Sequence, residues 1–69
     1  MPLSMMKIGE RKPIVKITGK DDTKRFLENL GFTEGSEIMI ISVLAGNMIV
    51  NVKESRVAID KSMANRIIV

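Results

Sequence analysis

Apolar and polar residues alternate along most of this chain, and settle into a helical spacing only once. In residues 13–18, Ile14, Val15 and Ile17 are apolar while Lys16 and Thr18 are polar. This reads as a strand opened by Pro13, where a missing N–H costs little, and closed by Gly19. In residues 36–45, Ile38 and Ile40 fall on one phase and Met39, Ile41 and Val43 on the other. That pattern predicts one long strand or two short ones joined by a bend. Gly46-Asn47 is a hairpin signal. Beyond it, Met48, Val50 and Val52 alternate with Ile49, Asn51 and Lys53. Glu54-Ser55 makes a second tight turn with poorer turn chemistry, residues 56–59 a short strand, and residues 67–69 a last one.

The helical spacing lies between Gly19 and Gly31. Phe26, Leu27 and Leu30 share one face, with Lys24, Arg25 and Glu28 on or near the other, which predicts a short helix over about 22–30. The Asp21-Asp22-Thr23 run supplies its N-cap: a carboxylate there accepts orphan backbone N–H groups and faces the positive end of the helix dipole. Gly31 ends the helix as a left-handed residue, after which Phe32 packs back on Leu27. Phe26, Leu27, Leu30 and Phe32 are therefore expected in the core. Two weaker helical signals remain. Residues 3–8 make one turn before Gly9, and Asp60 caps a single turn near 61–65.

Strand, helix, three-strand meander, helical turn and strand make a mainly β domain over residues 1–69. Short strands at close spacing argue for a small barrel, since closure hides sheet edges that so small a domain has no other means to protect. A five-stranded SH3-like barrel fits the count. With 69 residues, 45% of them hydrophobic, the chain is long enough for one core and too apolar for disorder.

Composition removes whole classes of chemistry. The chain has no Cys and no His, so disulfides, thiolate ligands, and Ser-His or Cys-His catalysis have no residues to work with, and zinc or heme ligation is not expected. Ser4, Ser36, Ser42, Ser55 and Ser62 lack a histidine partner, and no carboxylates are spaced as an acid and base pair. No GxxxxGK[ST] or GxGxxG occurs. The formal charge is +3, but the cations are spread among acids and the only aromatics are Phe26 and Phe32. A nucleic-acid site would concentrate charge beside stacking aromatics, so none is expected. No apolar run approaches the ~20 residues that cross a bilayer, which leaves a cytosolic protein as the expectation.

The segment Leu27-Glu28-Asn29-Leu30-Gly31-Phe32-Thr33-Glu34-Gly35 resembles the LxxLGhxxG motif of bacterial ferrous-iron transport protein A, the FeoA family. Its structural residues here are Leu27, Leu30, Gly31, Phe32 and Gly35. The hairpin of residues 46–52, the strand Arg56-Val57-Ala58-Ile59, the ending Ala64-x-x-Ile67-x-Val69 and the start Leu3-Ser4 with Lys7-x-Gly9 are similar too. Nearly the whole chain is covered. Similar motifs occur in the C-terminal domain of iron- and manganese-dependent repressors, but the winged-helix half of such a repressor is not in this sequence. The resemblance implies a non-enzymatic accessory protein of Fe(II) uptake. It would act by contact with the cytosolic region of a FeoB-type transporter, reaching the inner face of the membrane only through that partner. Glu54 departs from the family, which often has Gly there; Glu tolerates positive φ poorly, so another turn geometry is expected.

The resemblance also carries an association with transition metals. The only ligands on offer are Asp21, Asp22, Glu34, Glu37, Glu54 and Asp60, and carboxylates alone hold divalent ions weakly and select Fe(II) poorly. Capping is the better use of Asp21 and Asp22. No cofactor is expected beyond such weak divalent binding. Two other readings stay open: a small basic barrel on nucleic acid, and a metal-responsive regulatory domain. Partner contact is the favoured class. A small barrel fills its interior from one strand phase, so Met39, Ile41, Val43 and Ile49 are expected partly outside. The alternative is a bend between Ile41 and Leu44 that reverses the phase and buries them. Six methionines favour an adaptable surface, and Arg25 and Arg56 are candidate contacts to an acidic one.

Overall fold

In the computed structural model, which describes residues 1–19 and 21–69, the alternating segments are strands and the one helical period is a helix. A 3-10 turn, Leu3–Met5, leads to β1 (Arg11–Pro13), β2 (Lys16–Ile17), α1 (Asp22–Asn29) and β3 (Glu37–Leu44). There follow β4 (Asn47–Val52), β5 (Ser55–Asp60), α2 (Lys61–Ala64) and β6 (Ile67–Ile68). Four strands form an antiparallel sheet in the order β1-β3-β4-β5, and β2 pairs with β6 in a second sheet. Buried residues from both sheets and the helices share one core. This is the mainly β architecture read from the sequence, with six strands in place of five.

The sixth strand comes from residues 13–18, which are not continuous. Pro13 ends β1 instead of opening a strand. The chain then turns a corner from one sheet to the other. The Ile14 N–H donates to the Ser36 carbonyl at 2.9 Å, while the Val15 N–H donates to the Ile68 carbonyl at 2.7 Å. Ile14 points into the core and Val15 is 58% exposed. The corner falls at Ile14-Val15, the one place in residues 13–18 where two apolar residues adjoin and strict alternation fails.

The helix ends carry their own chemistry. Asp21 caps α1 by accepting the Lys24 N–H at 3.3 Å. At the other end the Phe32 N–H donates to the Leu27 carbonyl at 3.1 Å and the Gly31 N–H to the Glu28 carbonyl at 3.0 Å. Those are the two bonds of a Schellman stop, and Gly31 sits at φ 106. Leu27 and Phe32 are fully buried together, and Leu30 packs against the core edge. Phe26 departs from expectation: it is 50% exposed. The buried stripe of so short a helix is only one residue wide at Leu27, and Phe26 lies about 100° around from it. Asp60 caps α2, accepting the Met63 N–H at 2.8 Å.

Both hairpins turn one residue earlier than the sequence reading has them. Leu44 pairs with Asn47 and Val52 with Ser55, so the loops are Ala45-Gly46 and Lys53-Glu54. All four loop residues have positive φ, at 51, 83, 47 and 65° in chain order, as a two-residue type I′ turn demands. This shift lets Met48, Val50 and Val52 keep the inward phase. Glu54 therefore adopts the left-handed geometry itself, and the different turn expected there does not occur. Glu54→Gly should raise stability by about 0.5–1 kcal/mol, the left-handed penalty less the extra chain entropy of glycine. A melting temperature a few degrees higher would show it; an unchanged or lower one would contradict the strain.

The first and last residues also pair. The Met1 ammonium donates to the Val69 carbonyl oxygen at 2.8 Å, the Val69 N–H donates to the Met1 carbonyl at 2.7 Å, and Pro2 bridges Ile68. This clasp explains burial that local pattern does not reveal. Leu3, Met6 and Ala64 are core residues, brought inside because the 3-10 turn and α2 pack on each other. Ser4 Oγ donates to Asn65 Oδ1 across the same junction.

Candidate surface for partner contact

The outward side of the four-stranded sheet is organised by one irregularity. Ile40 pairs with Val50, but Ser42 pairs with Ile49, so Ile41 is an extra residue in β3. Before the bulge, alternation sends Ile38 and Ile40 inward and Met39 and Ile41 outward. After it, Ser42 faces out with Ile49, and Val43 joins Met48 on the inner side. Two consecutive residues thus face outward where an unbroken strand would show one.

Cross-strand register assembles this face into two rows. Arg11, Met39, Asn51 and Arg56 are successive partners across the four strands. Beside them lie Ile41 and Ser42, then Ile49, then Ala58. Met39, Ile41 and Ile49 are each half-buried, and Ala58 is exposed. The result is a shallow apolar strip between two arginines. Arg11 is partly spent: its Nε lies 3.4 Å from Glu37 Oε1, and its guanidinium reaches the Met39 sulfur at 3.7 Å. Arg56 has no ion-pair partner among the described residues.

The candidate contact residues read from the sequence therefore separate. Met39, Ile41, Ile49 and Arg56 come together on this face. Val43 does not: the bulge carries it to the other side of the sheet, where it is 51% exposed. The bend does reverse the strand phase, as the alternative reading has it, but leaves Val43 at the surface. Arg25 is exposed on α1, a separate element. Arg11 and Asn51 belong to the strip and were not singled out by sequence; register alone places them there, and register is not visible without the bulge.

Electrostatics single out one pair. Arg66 holds Asp21 with two bonds, Nη1 to Oδ1 at 2.6 Å and Nη2 to Oδ2 at 3.0 Å. Arg66 keeps the Asp21 carboxyl below the ordinary carboxylate range, against a smaller opposing effect of desolvation. Asp21 in turn raises the Arg66 guanidinium. This bridge fastens the start of α1 to the segment before β6, in addition to the cap that Asp21 makes on the Lys24 N–H. Among the described residues no three His, Cys, Asp or Glu side chains gather as a metal site. No helix of the described residues is long and apolar enough to cross a membrane.

Comparison with known proteins agrees with this geometry. The FeoA domain family model matches residues 1–69. A crystal structure of an iron uptake regulatory protein (FeoA) superposes with a TM-score of 0.89 at 31% identity, covering 97% of this chain and 91% of that one. The zinc-complexed FeoA of Stenotrophomonas maltophilia, described as a prokaryotic SH3 domain protein, gives 0.88 at 24% identity, covering 99% and 87%. A manganese-dependent transcriptional repressor shares the fold, with a TM-score of 0.88 at 18% identity; the match covers 97% of this chain but only 39% of the repressor. No curated protein matches the sequence. An SH3-like barrel, a glycine-stopped helix and a family match from the first residue to the last establish that this chain belongs to the FeoA family, whose members are associated with ferrous iron transport.

Proposed function

We propose that this chain is a non-enzymatic accessory of an Fe(II) uptake system, acting by contact with the cytosolic region of a FeoB-type transporter. One observation carries the reading: the bulge in β3 presents Met39, Ile41 and Ile49 as an apolar strip ending at the unpaired Arg56. A strip of half-buried aliphatic groups with one free cation suits recognition of a protein surface that is apolar with an acidic margin. The chemistry present supports little else, because the sequence has no His or Cys. Contact alters a transporter's activity only if the accessory binds one of its states more tightly than another.

The test is binding of the purified chain to the transporter's cytosolic region, with and without guanine nucleotide. Ile49→Lys places a charge in the centre of the strip without entering the core. It should weaken binding at least tenfold, about 1.4 kcal/mol, with the melting temperature nearly unchanged. Arg56→Glu should weaken it less and in a salt-dependent way. Full affinity of Ile49→Lys would remove the strip from the interface. No binding of the parent chain in any nucleotide state would overturn the function itself.

A further inference from the structure

A concave site lies on the side of the sheet opposite the strip. Three elements that are distant in sequence converge there: Ser4 and Met6 from the N-terminal turn, Val43, Gly46 and Met48 from the first hairpin, and Lys61 from the start of α2. Together they enclose about 250 Å³. That is below the roughly 300–1,000 Å³ of pockets for cofactors or drug-sized ligands, and suits one or two amino-acid side chains. The lower wall is apolar. Met6 and Met48 form it at 7% and 4% exposure, and Val43 stands half exposed at the side. Thioether side chains rearrange at small cost, so the wall adapts to what enters.

The polarity of the site is one-sided. Among the described residues Lys61 is the sole charged lining residue and has no ion-pair partner. The neighbouring Asp60 does not line the groove; its Oδ1 accepts the Met63 N–H as the cap of α2. By contrast, the groove of about 230 Å³ at the β3–β4 end of the outer face holds Arg11 and Lys53 with Glu37 and Glu54, and so balances its own charge. An occupant of the inner groove gains most if it puts an aliphatic side chain on the two methionines and a carboxylate against Lys61.

We propose that this groove binds a short linear peptide segment in which a large aliphatic residue is flanked by acidic ones. The concavity favours an inserted side chain over a flat lipid surface, which would need protruding groups instead. The site is separate from the strip at Ile49, so either can fail without the other.

Amide and methyl chemical shifts of the full chain would be followed while the blocked peptide DELED is added, with DESED and KKLKK as controls. DELED should shift Val43, Gly46, Met48 and Lys61 with a dissociation constant near or below about 1 mM. Both controls should bind at least fivefold more weakly. Lys61→Glu should abolish the preference for DELED over KKLKK, and Lys61→Arg should keep it. Val43→Asp should weaken DELED with the fold intact, as judged by unchanged dispersion elsewhere. Equal response to all three peptides, or shifts confined to other residues, would overturn the proposal. So would vesicles of anionic lipid shifting the same residues while DELED does not, or a concentration-dependent self-association that accounts for the shifts.

Discussion

Val50→Asp is expected to leave this chain unfolded at 25 °C. Val50 is wholly inaccessible in the middle of β4, paired with Ile40 on one side and Val57 on the other. A carboxylate there lies in an apolar core, with no buried polar side chain among the described residues to receive it. An unpaired buried charge costs several kcal/mol even after its pKa rises to neutralise it. A domain of this size has only about 3–10 kcal/mol in total. Val50→Thr separates charge from shape. It keeps the branched outline and buries one hydroxyl, for about 1–3 kcal/mol, so it should fold and melt roughly 5–20 °C lower. Circular dichroism and amide dispersion of the two variants decide the matter. A folded Asp variant would mean that the inward phase of β4 is wrong.

The second large effect concerns Gly31. Its φ of 106° lies beyond the ordinary left-handed well, where side chains with a Cβ are disfavoured and β-branched ones most of all. Gly31→Val should therefore cost about 1–3 kcal/mol. Space is not the cause, because a Cβ at this position would meet the Lys53 side chain no closer than 3.6 Å, an ordinary contact. The cost comes from the backbone, and two hydrogen bonds depend on that backbone, from the Gly31 and Phe32 amides to the Glu28 and Leu27 carbonyls. Gly31→Asn should recover part of the loss, since Asn tolerates positive φ better than Val. Thermal melting that ranks the parent above Asn above Val supports the assignment. Equal melting of all three would remove it.

These two positions were legible in the sequence because each obeys a local rule. Gly31 follows a helical period that stops, and Val50 keeps strict alternation between two turns. The same rules placed the caps at Asp21 and Asp60. What was not legible depends on contacts between distant segments. The corner at Ile14 and Val15 exists because one residue bonds to Ser36 and the next to Ile68. Leu3 and Met6 are buried because α2, more than fifty residues on, packs over them. Half of the candidate contact surface was visible as the second phase of β3 and β4. Val43 lies off that phase, because an extra residue at Ile41 costs nothing in the alternation of so apolar a stretch and leaves no mark in it. The FeoA motif was legible as a whole because its glycines occupy positions that backbone geometry dictates.

The pairing of the chain's two ends bears on how the molecule is made. During synthesis β2 has no partner strand until residues 67 and 68 have been added, and the backbone bonds between Met1 and Val69 form only after that. The meander of β3, β4 and β5 joins neighbours and needs only short loops to close. A nascent chain thus has its hairpins and the β1–β3 pairing available early, while Met1, Pro2 and β2 wait for residues 67–69. Contacts across so long a stretch of chain are the slow ones to form. Loss of those last residues would withdraw the partners of Met1, Pro2 and β2 in one stroke.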